Sequence, residues 1–148
     1  MQESYDKIAE NNISVINSTE INRRILQLGL APSPSGFELS YYKTISENNP
    51  NLALAGLRLE VETLLNNLAK GFNVEITDKD YSIKILMKLK ENGCVTDMEY
   101  LLIKNIIYIC DAAIHGLRFD AHDANEIINI ATVLRVCYAA WLVVEFSD

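Results

Sequence analysis

The stretch that decides the fold is NPNLALAGLRLEVETLLNNLAKG, which runs from Asn49 to Gly71. Its apolar side chains recur three or four positions apart on one wide stripe: Leu54, Leu57, Val61, Leu64, Leu65 and Leu68. This spacing is typical of an amphipathic α-helix that turns one face toward a core. Pro50 suits the first helical position because its missing N–H would have no partner there, and Gly71 ends the helix.

The same spacing predicts helices along most of the remaining chain. They cover residues 2–28 as one kinked helix or two, part of 37–46, about 80–92, 96–115, and 120 to about 146. Prolines and glycines separate them, as in the loop at 31–36, and residues 72–78 read as a short extended connector. Three pairs have the spacing of helix N-terminal caps: Asn17 with Glu20, Thr96 with Glu99, and Asp120 with Asp123. Asp80 or Ser82 is expected to cap the helix that ends at Gly93.

These segments predict an all-α fold, a compact bundle of about six helices. Residues 1–46 are expected to form an N-terminal helical arm and Pro-rich loop, and residues 47–148 a helical core, within one compact domain overall. The last helix is apolar around nearly its whole circumference between Ile127 and Val144. Such a helix is buried on more than one side. We therefore expect part of it, or of the long helix before it, to form a homodimer interface, and the alternative is a central core helix.

Composition restricts the classes of function. The chain has 148 residues and a net charge of −7, which disfavours broad binding to nucleic acid and leaves a local basic site open. Its three cysteines are far apart, which favours a reducing compartment over a disulfide framework or zinc site. The N-terminus is polar and acidic, unlike a signal peptide, and Asn129 and Arg135 interrupt the longest apolar run. We therefore expect a cytoplasmic chain without a membrane span, with an anchor outside this chain left open.

The residues most suited to catalysis or ligand binding lie between Ile109 and His122. Asp111 and His115 are four positions apart on one helix face, so the carboxylate can bond the imidazole and support acid–base catalysis. Spacing alone favours a structural interpretation. In it, Asp111 accepts backbone N–H groups at the next helix start, and His115 meets the last carbonyls before Gly116. The two histidines lack the usual metal-ligand spacing, so no metal or other cofactor is expected.

Arg58 also has a structural interpretation. Arg58 and Glu62 are four positions apart on the strongest helix, which is the spacing of an ion pair along one face. A structural pair of this kind is favoured over a catalytic role for these two residues.

Two parts of the chain resemble the HEPN superfamily of small helical proteins. Asn51–Leu65, NLALAGLRLEVETLL, is similar to a helix of bacterial HEPN-like domains of unknown function that carries Ala-Leu, Arg, Glu and Leu-Leu in this order. Leu89–Val95 followed by Asp111–Gly116 is similar to the turn and the long helix of such relatives, which ends in Arg-Asn-x-x-x-His-Gly. The resemblance covers about residues 50–146 and rests on order and spacing.

The resemblance implies a homodimer with a damaged motif. In the ribonuclease members, an Arg, a polar neighbour and a His from two copies form one composite site. His115 matches the His, Asp111 matches the polar neighbour, and Cys110 stands in the Arg position. A thiol cannot replace a guanidinium that neutralises a phosphate. The resemblance therefore implies a catalytically degenerate interaction or regulatory domain, in a prokaryotic defence, toxin–antitoxin or signalling assembly.

Two alternatives stay open. One is a metal-independent ribonuclease with a composite dimer site, in which Asp111 and His115 act with Arg118 or Arg58 as the phosphate ligand. Arg58 and His122 are its candidate substrate-binding residues. The other is a nucleotide-binding module that uses a cleft between helices. The expected partners are a second copy of the chain and another protein, whereas RNA is disfavoured by the acidic charge.

Overall fold

Helices make up most of the structure, a computed structural model that describes residues 18–36 and 38–142. The six helices in these ranges are α1 (Ser18–Gln27), α2 (Ser40–Asn48), α3 (Pro50–Gly71), α4 (Ser82–Glu91), α5 (Asp97–Ile114) and α6 (Ala121–Ala140). No strand occurs within the described ranges. The predicted all-α bundle is confirmed. The helix predicted at 2–16, the cap at Asn17 and the end of the last helix near residue 146 lie outside the described residues.

Helix α3 is the centre of the bundle and packs against α2, α4, α5 and α6. All six apolar residues of its predicted stripe are buried. Full burial of such a side chain contributes about 1.5–3 kcal/mol, which makes this stripe the largest single contribution of one helix to the core. The helix begins as predicted: the Asn49 side chain accepts the Leu52 N–H at 3.1 Å, and Pro50 is the first helical residue.

Two further caps are confirmed and one is wrong. The Thr96 hydroxyl accepts the Glu99 N–H at 3.1 Å, and the Glu99 carboxylate accepts the Thr96 N–H at 2.7 Å. Asp120 accepts the Asp123 N–H at 2.7 Å at the start of α6. Helix α4, however, begins after Tyr81 without any side-chain cap.

The expected cap Asp80 has other partners. Its carboxylate accepts the Lys88 ammonium at 2.6 Å and the Thr77 N–H at 3.0 Å, and Lys84 lies 3.4 Å away. These contacts, that of Lys88 first, lower the pKa of Asp80 to about 2. Because Lys84 and Lys88 lie one turn apart on α4, the carboxylate fixes the connector against the side of the helix rather than its end.

The loop between α1 and α2 is held on α3 by a carboxylate. Glu60 accepts the Ser33 hydroxyl and the Ser35 N–H, both at 2.6 Å, and the Tyr42 hydroxyl at 2.7 Å. Burial and the neighbouring Glu60 carboxylate raise the pKa of Tyr42, so its hydroxyl stays protonated and donates. One side chain of α3 thus positions both the Pro-rich loop and α2.

The hydrophobic core is continuous from α1 to α6. It includes Ile21 and Ile25 as well as Leu142, so residues on both sides of position 46 share one cluster. The buried Asn67 adds two bonds to the Ala31 backbone, at 2.9 and 2.8 Å. The division into an arm and a core stays a prediction, and the arm's described part contributes to the common core.

Helix α6 is buried on more than one side in its second half, as predicted. Leu134, Val136, Tyr138 and Ala139 are all buried, although they point in different directions around the helix. This burial supports the central-core interpretation of the helix. No helix in the described part of the chain is long and apolar enough to cross a membrane.

Gly56 permits the close approach of α2 to α3. A Cβ at this position would lie 2.5 Å from Cε1 and 3.1 Å from Cδ1 of Tyr42. We expect Gly56→Ala to lower the free energy of unfolding by about 1–2 kcal/mol in urea denaturation. Overpacking costs about 1–3 kcal/mol, which exceeds the helix-propensity gain of about 1 kcal/mol.

A Tyr42→Ala background is the control for this prediction. There the ring is absent, so the same Gly56→Ala change should raise stability by up to about 1 kcal/mol. A stabilising effect of Gly56→Ala on its own would contradict the close contact.

Candidate functional site

The motif predicted between Ile109 and His122 lies where α5 ends and the chain turns toward α6. His115 is the residue that follows the last helical position, and its N–H donates to the Asp111 carbonyl at 3.0 Å. Gly116 comes next with φ of 101°, a backbone conformation that L side chains rarely adopt. The Leu117 N–H then donates to the Ala112 carbonyl at 2.9 Å, which closes the helix end.

The central contact of the site is an ion pair between α3 and α5. Arg58 Nε donates to Asp111 Oδ1 at 2.8 Å, and Arg58 Nη1 donates to the Ser82 hydroxyl at 2.9 Å. The Arg58 side chain is 16% exposed and that of Asp111 is 41% exposed. Because Ser82 is the first residue of α4, a single guanidinium connects three helices.

This contact overturns three expectations. The ion-pair partner of Arg58 is Asp111 rather than Glu62, because the guanidinium points into the groove between helices while Glu62 is exposed. The Asp111 carboxylate accepts from Arg58 and bonds neither the His115 imidazole nor the backbone at the start of α6 within the described residues. The charge-assisted bond to a shielded guanidinium is stronger than a bond to a solvated imidazole.

Asn51 performs the backbone role that the sequence assigned to Asp111. Its Nδ2 donates to the Ala113 carbonyl at 3.1 Å and to the Leu117 carbonyl at 2.9 Å. Its Oδ1 accepts the Phe119 N–H at 3.1 Å. One amide at the start of α3 therefore satisfies both sides of the turn after α5 and holds that turn against the bundle.

Cys110, in the Arg position of the motif, is fully buried in the core. Burial raises the pKa of its thiol to about 12, and the nearby positive charge of Arg58 only partly opposes this effect. The group is therefore a neutral thiol at physiological pH. It can neither carry a positive charge nor face solvent, so it cannot contribute to binding a phosphate.

The other predicted site residues lie at the surface. His115 and Arg118 are exposed in the turn. His122 is exposed on the first turn of α6, with its Nε2 3.1 Å from the Glu126 carboxylate. Among residues 18–36 and 38–142, no hydrogen bond or ion pair links these three side chains to the Arg58–Asp111 pair. The structure thus brings together only Arg58 and Asp111, and the catalytic and substrate-binding assignments stay predictions.

Metal and nucleotide sites receive no support from the described residues. They contain no group of three or more His, Cys, Asp or Glu side chains that could hold a metal ion. A cavity of about 30 Å³ lies between α3, α6 and the residue before α2, with Leu39, Leu57 and Leu134 in its wall. This volume suits one or two water molecules rather than a nucleotide.

Ser82, Asn51 and Glu60 are positioning residues that the sequence pattern did not reveal. Ser82 and Asp111 lie 24 and 53 positions from Arg58, so no local spacing connects them. The sequence did contain one indication of such a role. Asn51 and Glu60 are polar residues within a long apolar helix, where each needs a hydrogen-bond partner if it is buried.

Comparisons with known proteins give no match: no protein-family model, curated protein or solved structure matches the chain. Membership of the HEPN superfamily is therefore a proposal.

Asp111→Asn tests the energetic weight of the ion pair. The substitution keeps the shape of the side chain but leaves the shielded Arg58 charge without its counter-ion. We expect a loss of about 1–2 kcal/mol in the free energy of unfolding at pH 7, below the values for fully buried pairs because Asp111 is partly exposed.

Glu126→Gln is the matched control, because it removes the same charge from the exposed pair with His122. It should change stability by less than about 0.5 kcal/mol. Equal losses in the two variants, measured by urea denaturation, would contradict a structural role for Asp111.

Proposed function

We propose that the chain is a HEPN-like helical interaction or regulatory module, which works as a homodimer and does not cleave RNA. The observation that carries the proposal is the use of Arg58. This guanidinium lies beside the motif, and both of its described bonds go to Asp111 and Ser82 inside the bundle. An arginine used in this way stabilises the fold.

Cleavage of RNA without a metal needs a base for the 2′-hydroxyl and a cation for the phosphate. His115 offers an exposed imidazole for the first role. For the second role, Arg58 is mostly shielded and paired with a carboxylate, and Cys110 is neutral and buried. An anionic ligand at this place would also meet Asp111, whose side chain is 41% exposed.

The runner-up is a metal-independent ribonuclease with a composite dimer site. It is favoured by the exposure of both His115 and Arg118, which are three positions apart in one turn. A second copy could complete such a site by placing its Arg118 near the His115 of the first. The net charge of −7 weighs against this function, because the chain repels RNA on average.

A defence, toxin–antitoxin or signalling assembly is the context that the family resemblance suggests. In this context the turn around His115 and Arg118 would contact a protein partner. Leu117, exposed in the same turn, adds an apolar group to a surface that is otherwise polar.

An RNA cleavage assay with EDTA present distinguishes the two functions. Purified protein is incubated with single-stranded, hairpin and transfer RNA, in parallel with the His115→Ala variant. We expect no cleavage by either protein. Cleavage by the wild-type chain that is lost in His115→Ala would contradict the interaction module and establish a ribonuclease.

A further inference from the structure

Helix α5 exposes a regular stripe of side chains on the face opposite the core. We call this stripe, including the residue that follows the helix, the α5 seam: Met98, Leu101, Asn105, Tyr108, Ala112 and His115. Ala112 is half-buried, and the other five residues are exposed. Its members alternate at spacings of three and four positions, while the buried residues of the helix lie on the other side. Met98 is 71% exposed, Leu101 55% and Tyr108 52%, which is unusual for such large apolar groups on one helix face.

The spacing of the seam is that of a helix that packs against another helix. Alternation of three and four positions corresponds to positions a and d of a heptad, which form the contact stripe of a coiled coil. The seam spans about 26 Å at a rise of about 1.5 Å per residue. It therefore extends along the whole length of α5 rather than forming a local patch.

We propose that a second copy of the chain covers the α5 seam, with the two α5 helices antiparallel. This inference rests on the proposed homodimer and adds its interface and orientation. A two-fold axis between positions 106 and 107 places the six residues in three matched layers. Met98 faces the partner's His115, Leu101 faces the partner's Ala112, and Asn105 faces the partner's Tyr108.

The charges beside the seam favour the antiparallel orientation. Lys104 and Asp111 lie on the same flank, one heptad apart. In an antiparallel pair, equivalent flanks face each other, so Lys104 lies close to the partner's Asp111 in two symmetric contacts. Asp111 retains exposed surface for this contact beyond its bond to Arg58.

The opposite flank of the α5 seam is apolar and also favours the antiparallel orientation. It carries Leu102 and Ile109, which are only partly buried against the core of their own chain. The antiparallel arrangement brings Leu102 near the partner's Ile109. A parallel pair would instead place the charged flank of each helix against the apolar flank of the other, which would desolvate Lys104 without an ion pair.

The central layers contain polar groups that fix the register. The Asn105 amide lies opposite the partner's Tyr108 hydroxyl, a pair that can form a hydrogen bond on each side of the two-fold axis. A shift by one heptad would separate these groups and place the Tyr108 hydroxyl opposite the partner's Ala112 or Met98, where it would have no hydrogen-bond partner. The arrangement also puts the two His115 side chains about 26 Å apart, so this interface forms no composite site.

Disulfide formation between two variants, each with one introduced cysteine besides the buried Cys110, tests the orientation. Leu101→Cys and Ala112→Cys are each introduced into a chain with Cys94→Ser and Cys137→Ala, mixed in equal amounts and oxidised. We expect a disulfide-linked heterodimer and no linked homodimers, because equivalent positions lie about 16 Å apart along the axis. Linked homodimers of each variant alone, without the heterodimer, would overturn the antiparallel arrangement.

Sedimentation equilibrium of the full chain tests the interface itself. We expect a dimer whose Kd rises at least about a hundredfold in Leu101→Glu, since two unpaired carboxylates would enter each interface. Leu26→Glu, on an exposed leucine of α1, is the matched control and should remain dimeric.

The outcomes separate the two proposals. If the wild-type chain is a dimer and Leu101→Glu remains one, the α5 seam is not the dimer interface. The homodimer of the proposed function would still stand. A wild-type monomer would overturn both proposals. Slow labelling of the Leu101→Cys thiol in that monomer would show that another part of the same chain covers the seam.

Discussion

The Arg58 guanidinium, held between Asp111 and Ser82, is the contact on which the geometry of the site depends. It joins the middle of α3 to the last turn of α5 and the first residue of α4. Asn51, at the start of α3, completes the arrangement by holding the turn that carries His115. The exposed imidazole is therefore presented by a fixed backbone, while the charge of Arg58 is retained between the helices.

The fold could be predicted from the sequence because the patterns that specify its helices are local. The Thr96–Glu99 capping box and the Asp120 cap each lie within one turn, and the apolar stripe of α3 repeats mostly at spacings of three or four positions. All three are confirmed. Asp80 shows the limit of such reasoning. Its position is that of a cap, but two lysines on the side of α4 offer its carboxylate a stronger, charged contact.

The candidate site could be predicted less completely from the sequence, because its contacts join residues that are distant in the chain. A spacing of four positions predicted Glu62 as the partner of Arg58, and the tertiary fold supplied Asp111 instead. The same limit applies to Leu101. Its apolar character does not distinguish it from its neighbours on α5, but the structure buries Ile103 and Ile107 and leaves Leu101 exposed on the α5 seam. A sequence shows which residues are apolar, and the direction of the core selects which of them are buried.

We propose that the Arg58 charge serves the fold and is not available to a phosphate. The most direct measurement is the Nε–H signal of Arg58 in the nitrogen-15 NMR spectrum, assigned through its loss in Arg58→Lys. We expect an Arg58 signal that exchanges with water more slowly than that of Arg118 and does not shift when inorganic phosphate or an RNA oligonucleotide is added. A saturable shift of the Arg58 signal on addition of either ligand would contradict the claim and identify Arg58 as a phosphate ligand.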